Sequence, residues 1–349
     1  MAEAVGAFAV HVSAYGPSSP TNRTTAVFQP AVIEDLASAV KDAVTVPVIA
    51  VGRITPQAAE SMIVAEKADL IAMGKALLAD PDIPRKLEAD REDRILPCIV
   101  CMHCRDVLYS PVPAGISCQV NPRLGCDHEA PCSETTSPKK VLVIGGGPAG
   151  MVAAMTAAER GHRVALWEQD AALGGQLLAA AIPPHKDRIR AFVSYCAEQL
   201  ARTGVTVELE HEATVEAIVS CGMDEVILAC GPIETMPDIP GIASAGAVKA
   251  TAVLNGLEKV GKRVVIVGGE LVGCETAEYL AERGRSVVVV RRGPEMATRV
   301  GPSLRQFFLE RLRQKGVTLL PGVRYVRASP DHLTVEMAGE IVDLPVDTL

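Results

Sequence analysis

Aromatic side chains are scarce: Trp, Tyr and Phe make up 3% of the 349 residues, with a single Trp. That leaves too few rings for base-stacking platforms or for the aromatic floor of a sugar-binding cleft. Surplus positive charge is also lacking. Lys and Arg number 34 against 42 Asp and Glu, a formal net charge of -8, so there is no basic footprint for a nucleic-acid backbone. No stretch of about 18 apolar residues is free of Gly or charge, which argues against a membrane-spanning helix. Met1 opens no basic leader followed by an apolar run. These absences predict a soluble, cytoplasmic protein that works on a small molecule, without nucleic-acid or membrane partners. What is present suffices for burial: 48% of residues are apolar and 22% charged, at a length that suggests two or three domains.

Cysteine is abundant and unevenly placed. Six of the ten (Cys98, Cys101, Cys104, Cys118, Cys126, Cys132) fall between positions 98 and 132. A disulfide framework does not suit an intracellular chain, so the cluster points to a metal or metal-cluster site. Cys98-Ile-Val-Cys101-Met-His-Cys104, with Cys118 beyond, has the short-range thiolate spacing that iron–sulfur clusters use. Zinc competes for four thiolates, with His103 as a further candidate ligand. Cys126 and Cys132 are substitutes. Cys196, Cys221, Cys230 and Cys274 read as small buried apolar residues.

Before the cysteines, Ala7–Ser13, Pro47–Val51 and Leu70–Met73 read as short strands buried on both faces, with helical spacing over Ala31–Ala43 and Pro56–Glu66. This βα rhythm predicts part of a helix-covered parallel sheet. His11, inside the first strand, reads as a core histidine. Val51-Gly52-Arg53 and Met73-Gly74-Lys75 each follow a strand, and a glycine with a cation there is where parallel barrels bind phosphate. Two unrelated βα turns with solvated cations fit equally well.

From Lys139 onward the rhythm returns twice, as an internal repeat offset by 123 residues: Gly145, Gly150 and Glu159-Arg160-Gly161 recur as Gly268, Gly273 and Glu282-Arg283-Gly284. Val141–Ile144 is a buried strand entering Gly145-Gly-Gly147-Pro-Ala-Gly150. Its glycines suit a tight turn, close approach of backbone amides to a pyrophosphate, and packing of the next helix on the strand. Glu168, at the end of the following strand, is the acid expected on the ribose hydroxyls. Leu173-Gly174-Gly175-Gln176 offers a second pass near the dinucleotide. In the other copy Glu270 replaces the middle glycine of Gly268-Gly-Glu270-Leu-Val-Gly273, where a carboxylate repels a pyrophosphate unless it turns away. Arg291 and Arg292 stand in the place of the ribose acid and suit a 2′-phosphate, hence NADPH over NADH.

Taken together, His11–Ala14, Pro47–Ile54, Leu77–Asp82, Pro97–Cys101, Cys118–Arg123, Val141–Gly150, Gly174–Gln176 and Val226–Gly231 resemble the iron–sulfur flavoenzyme branch of the old yellow enzyme family, along essentially the whole chain. The resemblance implies the C-terminal part of an FMN-binding TIM barrel at 1–96, an iron–sulfur segment at 97–137, an FAD-binding Rossmann-like unit at 138–248 and an NAD(P)-binding one at 249–349. Gly52, Arg53, Gly74 and Lys75 would hold the FMN phosphate, Lys75 replacing the usual arginine. Cys98, Cys101, Cys104 and Cys118 would ligate a 4Fe–4S cluster, although the gap before Cys104 is one residue shorter than the family pattern. Electrons would pass from NAD(P)H through FAD, cluster and FMN to an enoate- or enoyl-type substrate. The resemblance also implies that five barrel strands and the family's C-terminal end are missing, so that a partner chain supplies the strands or the chain is an inactive remnant. No catalytic residue is assignable; the loop Gly16-Pro17-Ser18-Ser19 offers no histidine in the place where dienoyl-CoA reductases carry a proton donor. A pyridine-nucleotide disulfide reductase shares the tandem folds, but the only CxxC pairs lie within Cys98–Cys104.

Overall fold

The computed structural model describes residues 5–13, 33–108, 110, 115–126 and 133–349. Cys132, Ala14 and the loop Gly16-Pro17-Ser18-Ser19 lie outside the described residues. The chain forms two compact units, Met1–Glu129 and Ala130–Leu349. Cys98, Cys101, Cys104, Cys118 and Cys126 lie in the first.

In the first unit β1 (Val10–Val12), β2 (Val48–Val51) and β3 (Leu70–Ala72) form a parallel sheet in that order. The helix Pro56–Val64 starts where the Thr55 hydroxyl accepts the Ala58 N–H at 3.2 Å, with proline in the first turn. Val12, Val48 and Ala50 pack with Ile33, Ala37, Ala59 and Met62 of the helical layer into one core. Burial on both faces was expected, and here the structure differs. His11, Ile49 and Leu70 lie in register across the other face; His11 is exposed and Leu70 is 54% exposed. The reason is that the helices cover one face of a three-stranded sheet, so the apolar residues of the other find no layer to pack on. His11 is therefore not a core histidine.

The second unit realises the repeat. β4 (Lys140–Ile144), β5 (Arg163–Trp167), β6 (Thr206–Glu208) and β7 (Glu225–Leu228) form a parallel sheet of order β6-β5-β4-β7. β8 (Arg263–Val267), β9 (Ser286–Arg291) and β10 (Thr318–Pro321) form a parallel sheet of order β10-β9-β8. The repeat runs further than the glycines. The Asp224 carboxylate accepts the Lys140 N–H at 2.7 Å, and 123 residues on the Asp347 carboxylate accepts the Arg263 N–H at 2.9 Å. Thr348 bridges Val264 in parallel, the place Glu225 takes beside Val141. The last residues thus sit on the free side of β8 as β7 sits on β4.

An antiparallel meander of β11 (Arg324–Ala328), β12 (His332–Met337) and β13 (Glu340–Pro345) packs Val323, Ala328, Leu333 and Val335 against Val265 and Val290. The opposite face of β8 and β9 holds the helices Leu271–Ala281 and Pro302–Gln314 through Cys274, Ala277, Leu280, Phe308 and Leu312. Among the described residues no helix is long and apolar enough to cross a membrane.

Candidate nucleotide and cluster sites

At the first Gly-rich turn, Gly150 is packed so closely that a Cβ there would meet the Gly145 carbonyl oxygen at 1.8 Å. The helix Pro148–Glu159 can approach β4 only because that atom is missing. A Cβ at Gly147 would meet nothing within 4 Å, so the space above the turn is open where a pyrophosphate would lie. Glu168 is buried at the end of β5 and reaches back over the turn: its carboxylate accepts N–H groups from Gly146 at 2.6 Å and Asp170 at 2.9 Å. Each oxygen keeps a second lone pair for a ribose hydroxyl. Leu173-Gly174-Gly175-Gln176 does return to the turn, since the Gly174 N–H donates to the Gly146 carbonyl at 2.9 Å and a Cβ on Gly175 would lie 3.1 Å from Gly147. Gln176 donates to the Pro232 carbonyl at 3.0 Å. An open cradle with an acid at its rim fits the adenosine diphosphate half of FAD.

The second turn repeats the close packing, with a Cβ on Gly273 meeting the Gly268 carbonyl oxygen at 1.8 Å. A cavity of about 640 Å³ opens above it, lined by Gly268, Gly269, Glu270, Arg291, Arg292 and Tyr325 among others. Glu270 does turn away from the turn. It accepts the Thr298 hydroxyl at 2.6 Å and the Arg299 N–H at 3.0 Å, and pairs with Arg291. Burial pushes its carboxyl up, but those two hydrogen bonds and the Arg291 charge outweigh it and hold Glu270 below the usual range. Arg291 also donates to Thr298 Oγ1 at 2.9 Å and to the Glu295 carbonyl. Arg292 is exposed, its guanidinium 5.7 Å from the centre of the Tyr325 ring. The open pair of forks expected at the end of β9 is therefore half committed to the protein itself.

In the first unit Cys98, Cys101, Cys104 and Cys118 line one small cavity with Lys75, Leu78 and Val120. The structure brings all four predicted ligands together, Cys104 included despite its shortened spacing. Cys126 is not part of the lining; its thiol lies 3.8 Å from the Pro122 carbonyl. His103 Nε2 sits 2.9 Å from Ser117 Oγ, in a contact of its own outside the lining. The loop between the thiols is wound tightly, with Val100 (φ 56°) and Met102 (φ 64°) both left-handed. For a β-branched valine that is a strained conformation of the kind kept at functional sites. It aims the Val100 N–H at Cys98 Sγ, 3.4 Å away. Burial pushes the Cys101 thiol up to about 11, and burial with the neighbouring Cys98 pushes Cys104 up as well. Such thiols ionise readily only when a cation compensates them, which is what metal ligation provides. The four thiols share a lining, but among the described residues no three His, Cys, Asp or Glu side chains are drawn together closely enough to hold a metal ion as they stand.

Sequence reasoning overlooked what holds this loop. Asp80 is buried, pairs with Lys86 at 2.5 Å and accepts the Leu96 N–H at 2.8 Å, two residues before Cys98. Asn121 ties the loop carrying Cys118 to the helix Gly74–Ala79 by donating to the Leu78 carbonyl at 3.0 Å. Asp80 and Asn121 stood within the motifs that carry the resemblance, which was the available signal. Gly52-Arg53 and Gly74-Lys75 lie at the C-terminal ends of the paired strands β2 and β3. The space above Gly74 is open. Burial lowers the Lys75 amine, Cys98 and Cys104 oppose that, and the Arg53 charge lowers it further, so the two cations share one neighbourhood. Two cations beside the open turn at Gly74 suit a phosphate, although Lys75 also lines the cysteine cavity.

Cys196 and Cys274 are buried as expected, with burial pushing each thiol up to about 12. Cys221 is only half-buried and Cys230 is exposed. Cys230 follows β7 at the rim of the first turn, where the sheet no longer covers it.

Residues 8–94 match the NADH:flavin oxidoreductase / NADH oxidase family, and residues 139–349 match the pyridine nucleotide-disulphide oxidoreductase family. The chain belongs to the flavin/iron–sulfur branch of the old yellow enzyme family. Among proteins of this branch it is 38% identical over 310 residues to a bilirubin reductase of Mediterraneibacter gnavus, covering 88% of this chain and 48% of the relative. It is 40% identical over 264 residues to a cinnamate reductase of Clostridium sporogenes, covering 75% of this chain and 39% of the relative. A solved 2-naphthoyl-CoA reductase complex superposes with a TM-score of 0.93 at 27% identity, covering 97% of this chain and 52% of that one. The chain spans about half the length of the curated relatives it matches. The disulphide in the second family's description has no counterpart here, because Cys196, Cys221, Cys230 and Cys274 are the cysteines of residues 139–349 and none forms a CxxC pair.

Proposed function

We propose that this protein is an NAD(P)H-dependent flavin/iron–sulfur oxidoreductase of the enoate-reductase type. When bound, FAD, a 4Fe–4S cluster and FMN together supply the conversion of hydride equivalents from a nicotinamide into electrons delivered to an enoate- or enoyl-type substrate. The chain's own residues bind and orient. Gly145, Gly147, Gly150, Glu168, Gly175 and Gln176 form the cradle for FAD, with Glu168 on the ribose. Gly268 and Gly273 open the pyridine-nucleotide cavity, with Arg291 and Arg292 at its rim. Gly52, Arg53, Gly74 and Lys75 hold the FMN phosphate. Cys98, Cys101, Cys104 and Cys118 ligate the cluster.

The observation that carries this reading is the cavity shared by those four cysteines. Zinc also takes four thiolates; the Gly-rich nucleotide turns on the same chain favour a redox cluster. The exposed face of β1–β3 is where further barrel strands would complete the FMN pocket. The test is anaerobic NADH and NADPH oxidation in the presence of cinnamate, with and without the substitution C104S. The reading predicts that the variant still lets the nicotinamide bleach the bound flavin, while reduction of the unsaturated acid falls at least ~100-fold, a loss of over two powers of ten in rate. Undiminished cinnamate reduction by C104S would contradict it.

A further inference from the structure

In the two halves of the repeat a carboxylate comes to the same neighbourhood from opposite directions. In the first, Glu168 at the end of β5 reaches back over the Gly-rich turn to the Gly146 N–H. In the second, the strand end carries Arg291, and Glu270 on the turn reaches across to it. Glu270 is fixed there by the Thr298 hydroxyl at 2.6 Å and the Arg299 N–H at 3.0 Å, while Arg291 is fixed by Thr298 and the Glu295 carbonyl. Both side chains line the cavity above the turn.

We propose that Glu270 sets the choice of pyridine nucleotide, making the second unit selective for the dinucleotide that ends in a free 2′-hydroxyl. This rests on the reading that the cavity takes a pyridine dinucleotide. Arg291 alone would present a bidentate fork to a 2′-phosphate. Paired with Glu270, it offers no net charge, and a phosphate dianion approaching it must also approach a carboxylate. A ribose hydroxyl meets no such conflict, because it can donate to a carboxylate oxygen, the role Glu168 is built for in the first unit. Arg292, over the Tyr325 ring, remains as a single fork. The NADPH preference suggested by two adjacent arginines is thus reversed by a residue 21 positions earlier in the chain.

The test uses calorimetric titration of the 349-residue chain with 5′-AMP and 2′,5′-ADP, which differ only in the 2′-phosphate. Wild type is expected to bind 2′,5′-ADP no more tightly than 5′-AMP. E270G restores the fingerprint glycine and removes the carboxylate that neutralises Arg291; it should improve the 2′,5′-ADP to 5′-AMP affinity ratio about tenfold or more, the range of one charge-assisted contact. Adding R291A to E270G should remove that gain, and E270Q, which keeps the shape but not the charge, should fall between. Tighter binding of 2′,5′-ADP by wild type, or a ratio unmoved in E270G while both nucleotides still bind, would overturn the inference alone. Failure of wild type to bind either nucleotide, or NADH, would overturn it together with the dinucleotide reading beneath it.

Discussion

At the residue scale, the two glycines of the first turn make opposite demands. Gly150 has a backbone oxygen where its side chain would be, so Gly150→Ala should lower stability by about 1–3 kcal/mol as helix and strand are pushed apart. Gly147 faces open space at φ −72°. Gly147→Ala should therefore leave the melting temperature nearly unchanged and reduce bound FAD instead. Thermal melts with flavin content measured on the same samples check both, and equal stability losses would show the open cradle to be misread. Asp80 makes a third case. As a buried carboxylate joining Lys86 to the Leu96 N–H, it should cost about 1–3 kcal/mol when replaced by Ala, because the Leu96 N–H loses its acceptor and Lys86 keeps only the Arg94 carbonyl, and iron content should fall with it. The glycines were legible in the sequence, since a bare backbone serves the helix packing at Gly150 and the close approach of a phosphate at Gly147. Asp80 was not, because a carboxylate on a short helix looks the same in sequence whether it meets water or a loop 16 residues further on.

At the element scale, the last residues, which bridge onto the free side of β8, are held there by one acid. The Arg263 side chain and backbone N–H, with the Lys262 N–H, bond the exposed Asp347 carboxylate and hold it down at about 2. The pair's contribution is therefore complete above the ordinary carboxylate range near 4 and is lost as pH falls through about 2. Asp347→Asn should melt earlier than wild type at neutral pH, with the gap closing as the pH is taken from 4 to 2. Melts across that window check it, and a gap independent of pH would contradict it. The parallel strands were readable from their apolar runs and the 123-residue offset. The antiparallel meander was not, for a local reason: its tight hairpin turn is Ala338-Gly339, both at positive φ. Such turns normally advertise themselves with Asn or Asp at the first position, and alanine gives no such cue. The reverse error occurred in β1–β3, where continuous apolar runs implied two covered faces and the structure covers one. Leu70→Ser on the open face should accordingly change stability by less than about 0.5 kcal/mol, while Met62→Ala in the covered core should cost about 2–5 kcal/mol. Urea titrations separate the two.

At the scale of the whole molecule, the chain is two units with separate cores. One gathers four of its cysteines around a small cavity with Lys75 among the lining, and the other carries two Gly-rich turns built on one repeated plan. The family was readable because its motifs are fixed by chemistry that tolerates few residue types: thiolates for a cluster, glycines for phosphates. The commitments between side chains were not, since the pairing of Glu270 with Arg291 depends on how far two loops lean toward each other. The account as a whole stands on the four thiols acting as one ligand set. Metal and acid-labile sulfide analysis of anaerobically purified protein tests this most directly. About four irons and four sulfides per chain, falling together in C104S and unchanged in C126S, is the predicted result. One zinc per chain and no sulfide would contradict it.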